Sequence, residues 1–500
     1  MAHDLVTELL LYSSLACFMP IWQLCANLLI PNCLRSNLSY SPLATLELYV
    51  KITYSMLIIK VLSIALILLC IYKIYNSKNY LHCFMWFMLG MYLIHPNAEL
   101  FRMSYAGSRL VLIFAFIARL LKDHTFSLVI NRFPLKIELL LMFVFLLIQP
   151  LFTGWSGIKG VNWAIQDFLS TYFLFILGFV SLPSNVNIWK NIKKYIYIII
   201  LVVVLVGYMS YFMAENFVTL AHSSSGEILW SSDRALSERG FRSTGTQFSP
   251  NIFGLINVTL ILLLFHFEKN NYVKLIGAGL LLMNIFFCGT RAPFVVLLLS
   301  LIVYGFLINK KQMLKSLCLG LPLLVVFIYF LRDIPIVQSY VEGVLDILLT
   351  GGENTGGSSV ELRNYQMATA LMYFAEAPWV GHGIYYTMNL INENGLFYNR
   401  YNSLLAGAEG YPFYLLIDYG VIYITLVIFF MARATLYFYR NLNIHRSIAI
   451  ALLFAEILFV MTSQPAHSWE VLFPWLGLFM RYVYNSNLEK KTYGYCISLR

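Results

Sequence analysis

The sequence predicts an all-α polytopic membrane protein of about 14 (13 to 14) transmembrane helices with two long loops on the non-cytoplasmic face, and three observations carry that expectation. Hydrophobic residues make up 60% of the 500 and charged residues only 12%, with a mean hydropathy of +0.73, so there is too little polar surface to cover a soluble globule. Apolar stretches long enough to cross a hydrocarbon core, which takes roughly 20 residues each, recur from end to end. Basic residues fall in every second short connector.

The first stretch, Leu5 to Ile30, has neither a basic leader nor a small-residue cleavage site, and is read as a span rather than a cleaved signal, with an interfacial helix as the alternative. Further spans are expected near Thr53–Tyr72, Leu81–Ile94, Ser108–Leu121, Ile137–Phe152, Ala164–Leu182 and Tyr195–Met213. The later set runs near Ile252–Phe267, Leu275–Gly289, Ala292–Ile308, Leu317–Leu331, Pro412–Met431, Ile448–Met461 and Val471–Met480.

The formal charge of +10 would suit a polyanion partner, but its placement indicates topology instead. Lys73 and Lys78, Lys122 and Arg132, Lys190 and Lys193, Lys269 and Lys274, Lys310 and Lys311, Arg433 and Arg440, and Lys490 and Lys491 fall on alternate connectors. The bias of Lys and Arg toward the cytoplasm puts these inside, together with both termini. Residues 1–213 then form an N-terminal bundle, 214–250 a first long outer loop, 251–331 central helices, 332–411 a second long outer loop, and 412–500 the C-terminal helices. Long loops on a helical scaffold usually carry function. No matched pair of Gly- or Pro-broken helices, the usual pointer to a transporter site, is visible.

Cys17, Cys25, Cys33, Cys70, Cys83, Cys288, Cys318 and Cys496 lie mostly in apolar runs without a CxxC pair, so no metal site or disulfide framework is expected and packing is the reading. Three arginines stand at the outer ends of spans: Arg242 in GFRSTGTQFSPN, Arg291 in CGTRAP and Arg363 in SSVELRNYQMATAL. Singly, each could snorkel to headgroups. Together they suit a phosphate clamp, because guanidinium binds phosphate through a bidentate fork without a metal. Glu409 in GAEGYPFYLLIDYG is a candidate base toward a hydroxyl, or a helix N-terminal acid before Pro412. His382 in WVGHG could orient a polar substrate or make a structural hydrogen bond. Asp418 and Glu456 fall in apolar spans, where ionisable groups face the bundle interior. Trp155, Trp163, Trp230, Trp379 and Trp469 are expected in an interfacial belt, with stacking on sugar rings as the alternative.

From about Phe241 to Tyr423 the chain resembles the O-antigen polymerase and ligase superfamily of bacterial membrane enzymes. RSTGTQFSPNIFG resembles that family's Arg, Gly and Pro-Asn helix start, and GTRAPFVVLLLSL its Ser-Arg-Gly helix start, with Thr290 for serine. ELRNYQMATALMYFAEAPWVGHG resembles its arginine-led helix ending in Pro and Gly-His-Gly. The ligase branch carries a histidine at a position that, counted back from Gly420 and Tyr423, is Glu409 here; that departure favours the polymerase branch.

The resemblance implies a GT-C-like fold and a metal-independent glycosyltransferase without cofactor in the bacterial inner membrane, facing the periplasm. The implied partners are undecaprenyl-pyrophosphate-linked glycans, membrane lipid and a chain-length regulator, with no nucleic acid. The reaction it implies joins repeat units into O-antigen or capsule polysaccharide. Arg242, Arg291 and Arg363 would hold pyrophosphate, with His382 contacting glycan and Glu409 orienting or deprotonating the acceptor. Ligase and lipid-linked oligosaccharide flippase are the alternatives.

Overall fold

Hydrophobic matching to lipid makes long apolar helices the only stable solution for this chain, and they dominate the computed structural model. It describes residues 42–94, 107–123, 131–154, 156–181, 189–216, 218, 241–247, 249–331, 360–387, 390, 411–441, 445–462 and 469–498. The helices are α1 (Pro42–Asn76), α2 (Tyr80–Leu93), α3 (Gly107–Lys122), α4 (Lys136–Thr153), α5 (Gly157–Ser170), α6 (Phe173–Val180) and α7 (Trp189–Phe212). They continue as α8 (Pro250–Phe267), α9 (Asn271–Phe287), α10 (Arg291–Leu331), α11 (Val360–Glu376), α12 (Tyr411–Arg440), α13 (Arg446–Thr462) and α14 (Trp469–Ser498). The described residues contain no strand.

Seven described segments are long and apolar enough to cross a membrane, and α2 and α9 are shorter apolar helices. The expected span over Leu5–Ile30 lies outside the described residues. Two expected helices, Ala292–Ile308 and Leu317–Leu331, both fall within α10, which is two helical runs joined across a kink at Asn309 (φ −151°, ψ 95°). There Asn309 Oδ1 accepts from Gln312 N at 3.1 Å, a side-chain cap that restarts the helix beside Lys310 and Lys311. The expected span Ala164–Leu182 starts earlier, at Gly157, and is divided between α5 and α6 at Thr171 and Tyr172.

The core sits around α8 and α14. Helix α8 begins at a sequence-encoded cap: Ser249 Oγ accepts from Asn251 N at 3.3 Å, and Pro250 occupies the first turn, where its missing N–H costs nothing. It packs against α7, α9, α10, α13 and α14. Helix α14 lies along α6 with backbone nearly touching backbone. A Cβ on Gly178 would sit 1.9 Å from the Pro474 carbonyl oxygen, and one on Gly477 would sit 2.0 Å from that of Phe175. Close approach through small residues is how helices associate where lipid removes the hydrophobic drive between them.

At the basic end, Glu268 accepts from the backbone N–H of Lys269 and Asn270, both at 2.7 Å, and pairs with Lys193 at 2.8 Å. Burial would raise its carboxyl, but these three donors outweigh it and hold the group below the ordinary carboxylate range. The contact ties the α8–α9 connector to α7.

Replacing Gly477 with Ala should destabilise the protein by at least about 2 kcal/mol, because the intruding carbon meets rigid backbone rather than a side chain that can turn away. Thermal unfolding in detergent, followed by size-exclusion chromatography, measures it. An unchanged midpoint would contradict the α6–α14 contact.

Candidate active site at the loop end of the bundle

The C-terminal ends of α2, α7 and α9 and the N-terminal ends of α8, α10 and α12 gather at the end of the bundle away from the basic connectors. Between α7 and α8 the chain runs as a non-helical segment, 241–247, in which Ser243, Thr244, Thr246 and Gln247 are all buried. Irregular backbone at such depth needs protein partners for its polar groups, and this segment finds them. Ser243 N donates to Phe287 O at 2.8 Å, and its hydroxyl to Gly207 O at 3.3 Å. Asn216 donates from Nδ2 to Arg242 O at 2.9 Å and accepts from Thr244 N at 2.8 Å. Thr246 Oγ1 and Gln247 Nε2 both donate to Tyr92 O, at 2.8 and 3.0 Å. Gly245 takes φ +53° where a Cβ would collide with the Phe253 ring.

The effect of these bonds is to press Arg242 onto the turn between α9 and α10. Its Cγ lies 3.0 Å, and its Nε 3.6 Å, from where a Cβ on Gly289 would be, and Gly289 itself sits at φ +62°. Arg291 is two residues further on, the first residue of α10. Two guanidinium-bearing residues from separate sequence motifs are thereby held on one turn. Cys288 in the same turn is buried and its thiol donates to Asn284 O, the environment of a packing group.

A second irregular region lies at α12. The helix breaks at Gly420 (φ 68°, ψ −175°), and the turn after α11 fills the break. Val421 N and Ile422 N, which lose their helical partners, donate to Pro378 O at 2.9 Å and Trp379 O at 3.2 Å. The freed carbonyls of Ile417 and Asp418 accept from His382 N and Gly383 N, both at 2.9 Å. Gln149 Nε2, from α4, donates to Val380 O and Asp418 O at 2.6 Å each. A Cβ on Gly381 would lie 2.5 Å from the Asp418 carbonyl carbon and oxygen, so only glycine fits there.

Asp418 points its carboxylate back at the same turn, accepting from Thr387 N at 2.8 Å and Thr387 Oγ1 at 2.5 Å. His382 is stacked on Tyr386 at 4.4 Å and donates from Nε2 to Tyr373 O at 2.8 Å. Its ring thus makes the structural hydrogen bond that was one of its two sequence readings. Burial, then the neighbouring Tyr373, Glu376 and Asp418, push the Tyr386 hydroxyl up.

Buried polar contacts run between the two regions. Tyr92 Oη donates to Val471 O at 2.7 Å and accepts from Trp475 Nε1 at 2.9 Å; Glu456 lies close enough to interact electrostatically with both Tyr92 and Tyr172. Tyr423 donates to Tyr172 at 2.9 Å, and Asp167 hydrogen-bonds Tyr419. Arg109 and Glu470, both buried, form an ion pair between the first turns of α3 and α14.

Of the residues expected from sequence, Arg242 is brought against Gly289, two residues before Arg291. Arg363 lies on α11, in its first turn, and α11 packs on α12. Glu409 lies outside the described residues, two positions before α12. Trp469 is buried against Tyr172 and Phe473, which corrects its assignment to a lipid-facing belt; Trp379 is exposed. Asn216, Gln149 and Thr387 position the site without having been singled out. Gln149 beside Pro150 within an apolar run was the one available signal.

Fold and site together define a multi-pass helical membrane protein with a cationic turn at its loop end. Residues 276–428 match the family model described as O-Antigen ligase, so this region of the chain is similar to the O-antigen polymerase and ligase superfamily. The matched region contains Arg291, Arg363, His382 and Glu409; Arg242 precedes it and joins it through Gly289. No match is found among curated proteins. The family supports an enzyme of the O-antigen ligase or polymerase type and lends no support to the flippase alternative.

Asn216→Ala should cost about 1–3 kcal/mol, because it leaves a buried N–H and a buried carbonyl unpaired at once. Hydrogen exchange at residues 242–247 should speed up, and unchanged protection would contradict the pinning role of Asn216.

Proposed function

We propose that the protein is a polymerase that joins undecaprenyl-pyrophosphate-linked oligosaccharide units into a surface polysaccharide, O-antigen or capsule, at the periplasmic face of the bacterial inner membrane. The observation that carries the proposal is the packing of Arg242 onto Gly289, two residues from Arg291, at the end of the bundle that bears both long loops.

In the reaction, the bond between the anomeric carbon of the growing glycan and its pyrophosphate oxygen breaks. A hydroxyl oxygen of the incoming lipid-linked unit bonds to that carbon, and its proton passes to a base. The leaving lipid pyrophosphate gains charge as the bond breaks, and fixed guanidinium groups in a partly desolvated site stabilise that charge most in the transition state. Arg242 and Arg291 supply this, with Arg363 joining from α11. Glu409 orients or deprotonates the acceptor. A carboxylate at the position where the ligase branch has histidine favours polymerase over ligase. Membrane lipid and a chain-length regulator complete the expected partners. His382, fixed by its bonds to Tyr373 and Ile417, acts on glycan through the turn it holds.

In cells lacking the gene, surface glycan should carry single repeat units, and wild-type protein should restore the ladder of lengths. Arg291→Ala and Arg242→Ala should each lower transfer roughly a hundred- to a thousandfold at normal membrane abundance. Unattached polymer on the lipid carrier in the null strain would show a ligase, and repeat units held at the cytoplasmic face would show a flippase.

A further inference from the structure

The opposite, basic end of the bundle holds a cation that the proposed reaction does not use. Arg481 lies on α14 ten residues past Val471, whose carbonyl meets Tyr92 near the loop end, so the helical rise of about 1.5 Å per residue sets it about 15 Å deeper. Its guanidinium lies over the rings of Phe179 (5.1 Å) and Tyr484 (5.5 Å). Its Nε and Nη1 are buried and have no hydrogen-bond partner among the described residues. Arg132, exposed on the connector before α4, immediately precedes Phe133, whose ring meets Phe179 edge-on at 5.0 Å, so the exposed arginine enters from the other side of the ring that Arg481 covers. Glu138, the carboxylate in the first turn of α4, is engaged by Arg433 at 3.0 Å.

Buried donors on a charged group are normally satisfied, and two neighbouring cations without an intervening carboxylate make an unfavourable pair unless an anion joins them. Aromatic rings on the guanidinium fix its plane, which suits a flat two-point contact with phosphate oxygens. Basic pockets between helices at the cytoplasmic side are where anionic lipid headgroups seat.

We infer that Arg481 and Arg132 form an anion site at the basic end of the bundle, taking the phosphate of an anionic phospholipid between α4, α6, α12 and α14. The site is separate from the Arg242–Arg291 turn, and its occupation does not depend on which glycan reaction the protein performs.

The test is the thermal midpoint of the purified full chain in detergent, titrated with phosphatidylglycerol, phosphatidylcholine or inorganic phosphate. Phosphatidylglycerol alone should raise the wild-type midpoint by several degrees, since a ligand bound only by the folded state stabilises it. Arg481→Met, which keeps an apolar stem against Phe179, and Arg132→Met should each lose most of that rise. Arg132 is exposed, so its variant reports even if Arg481→Met fails to fold. A rise retained in Arg132→Met, or an equal rise with phosphatidylcholine, would overturn the site. A rise reproduced by millimolar inorganic phosphate would overturn the lipid as its source.

Discussion

Backbone that leaves the helix inside a membrane protein must find every hydrogen bond within the protein, and this chain meets that requirement twice at the same end of its bundle. Around Ser243 the partners are Asn216, Gly207, Phe287 and Tyr92, drawn from three separate stretches of chain. Around Gly420 the partners are the Pro378–Gly383 turn and Gln149. Because most of the side-chain bonds are buried, they are not cheaply exchanged for water, and they hold the irregular segments to the helices they join. The placement of Arg242 on Gly289 follows from this, since Ser243 and Arg242 are held on either side of the peptide that positions the side chain.

A site built in this way suits electrostatic catalysis. Donors that are already oriented need not reorganise as charge develops on a leaving group, and guanidinium groups keep their charge even where water is partly excluded. The same logic separates the two ends of the molecule. At the loop end, fixed arginines adjoin a region whose sequence matches a glycan-transferring family. At the basic end, Arg481 is walled by aromatic rings and a second arginine, an environment for a resident anion rather than a reacting one.

Much of the bundle was legible in the sequence because hydropathy and the placement of Lys and Arg report directly on lipid. Helices α4 and α8 begin and end within two residues of their expected spans, and α7 ends within one residue of its own after starting six residues earlier. Breaks were harder to read. The break between the expected spans Ala292–Ile308 and Leu317–Leu331 does fall at Asn309, but the division of α5 from α6 at Thr171 has no Gly or Pro to announce it. Gly420 stood out in the sequence as a position shared with the resembled family's pattern; that it opens α12 depends on Pro378 and Trp379, about forty residues away, offering carbonyls to the freed amides. Likewise Arg242 and Arg291 stood out by type and position, but their shared turn depends on Asn216 and Phe287, contacts that no local pattern encodes.

The most direct measurement of the central claim is a double-mutant cycle on glycan transfer by purified protein supplied with lipid-linked repeat units, using Arg242→Ala, Arg291→Ala and the pair. If both arginines stabilise one leaving pyrophosphate, the double variant loses markedly less than the product of the two single losses, because either change alone already disables the shared contact. Losses that simply multiply would show two independent groups, and the single-turn pyrophosphate site would be wrong.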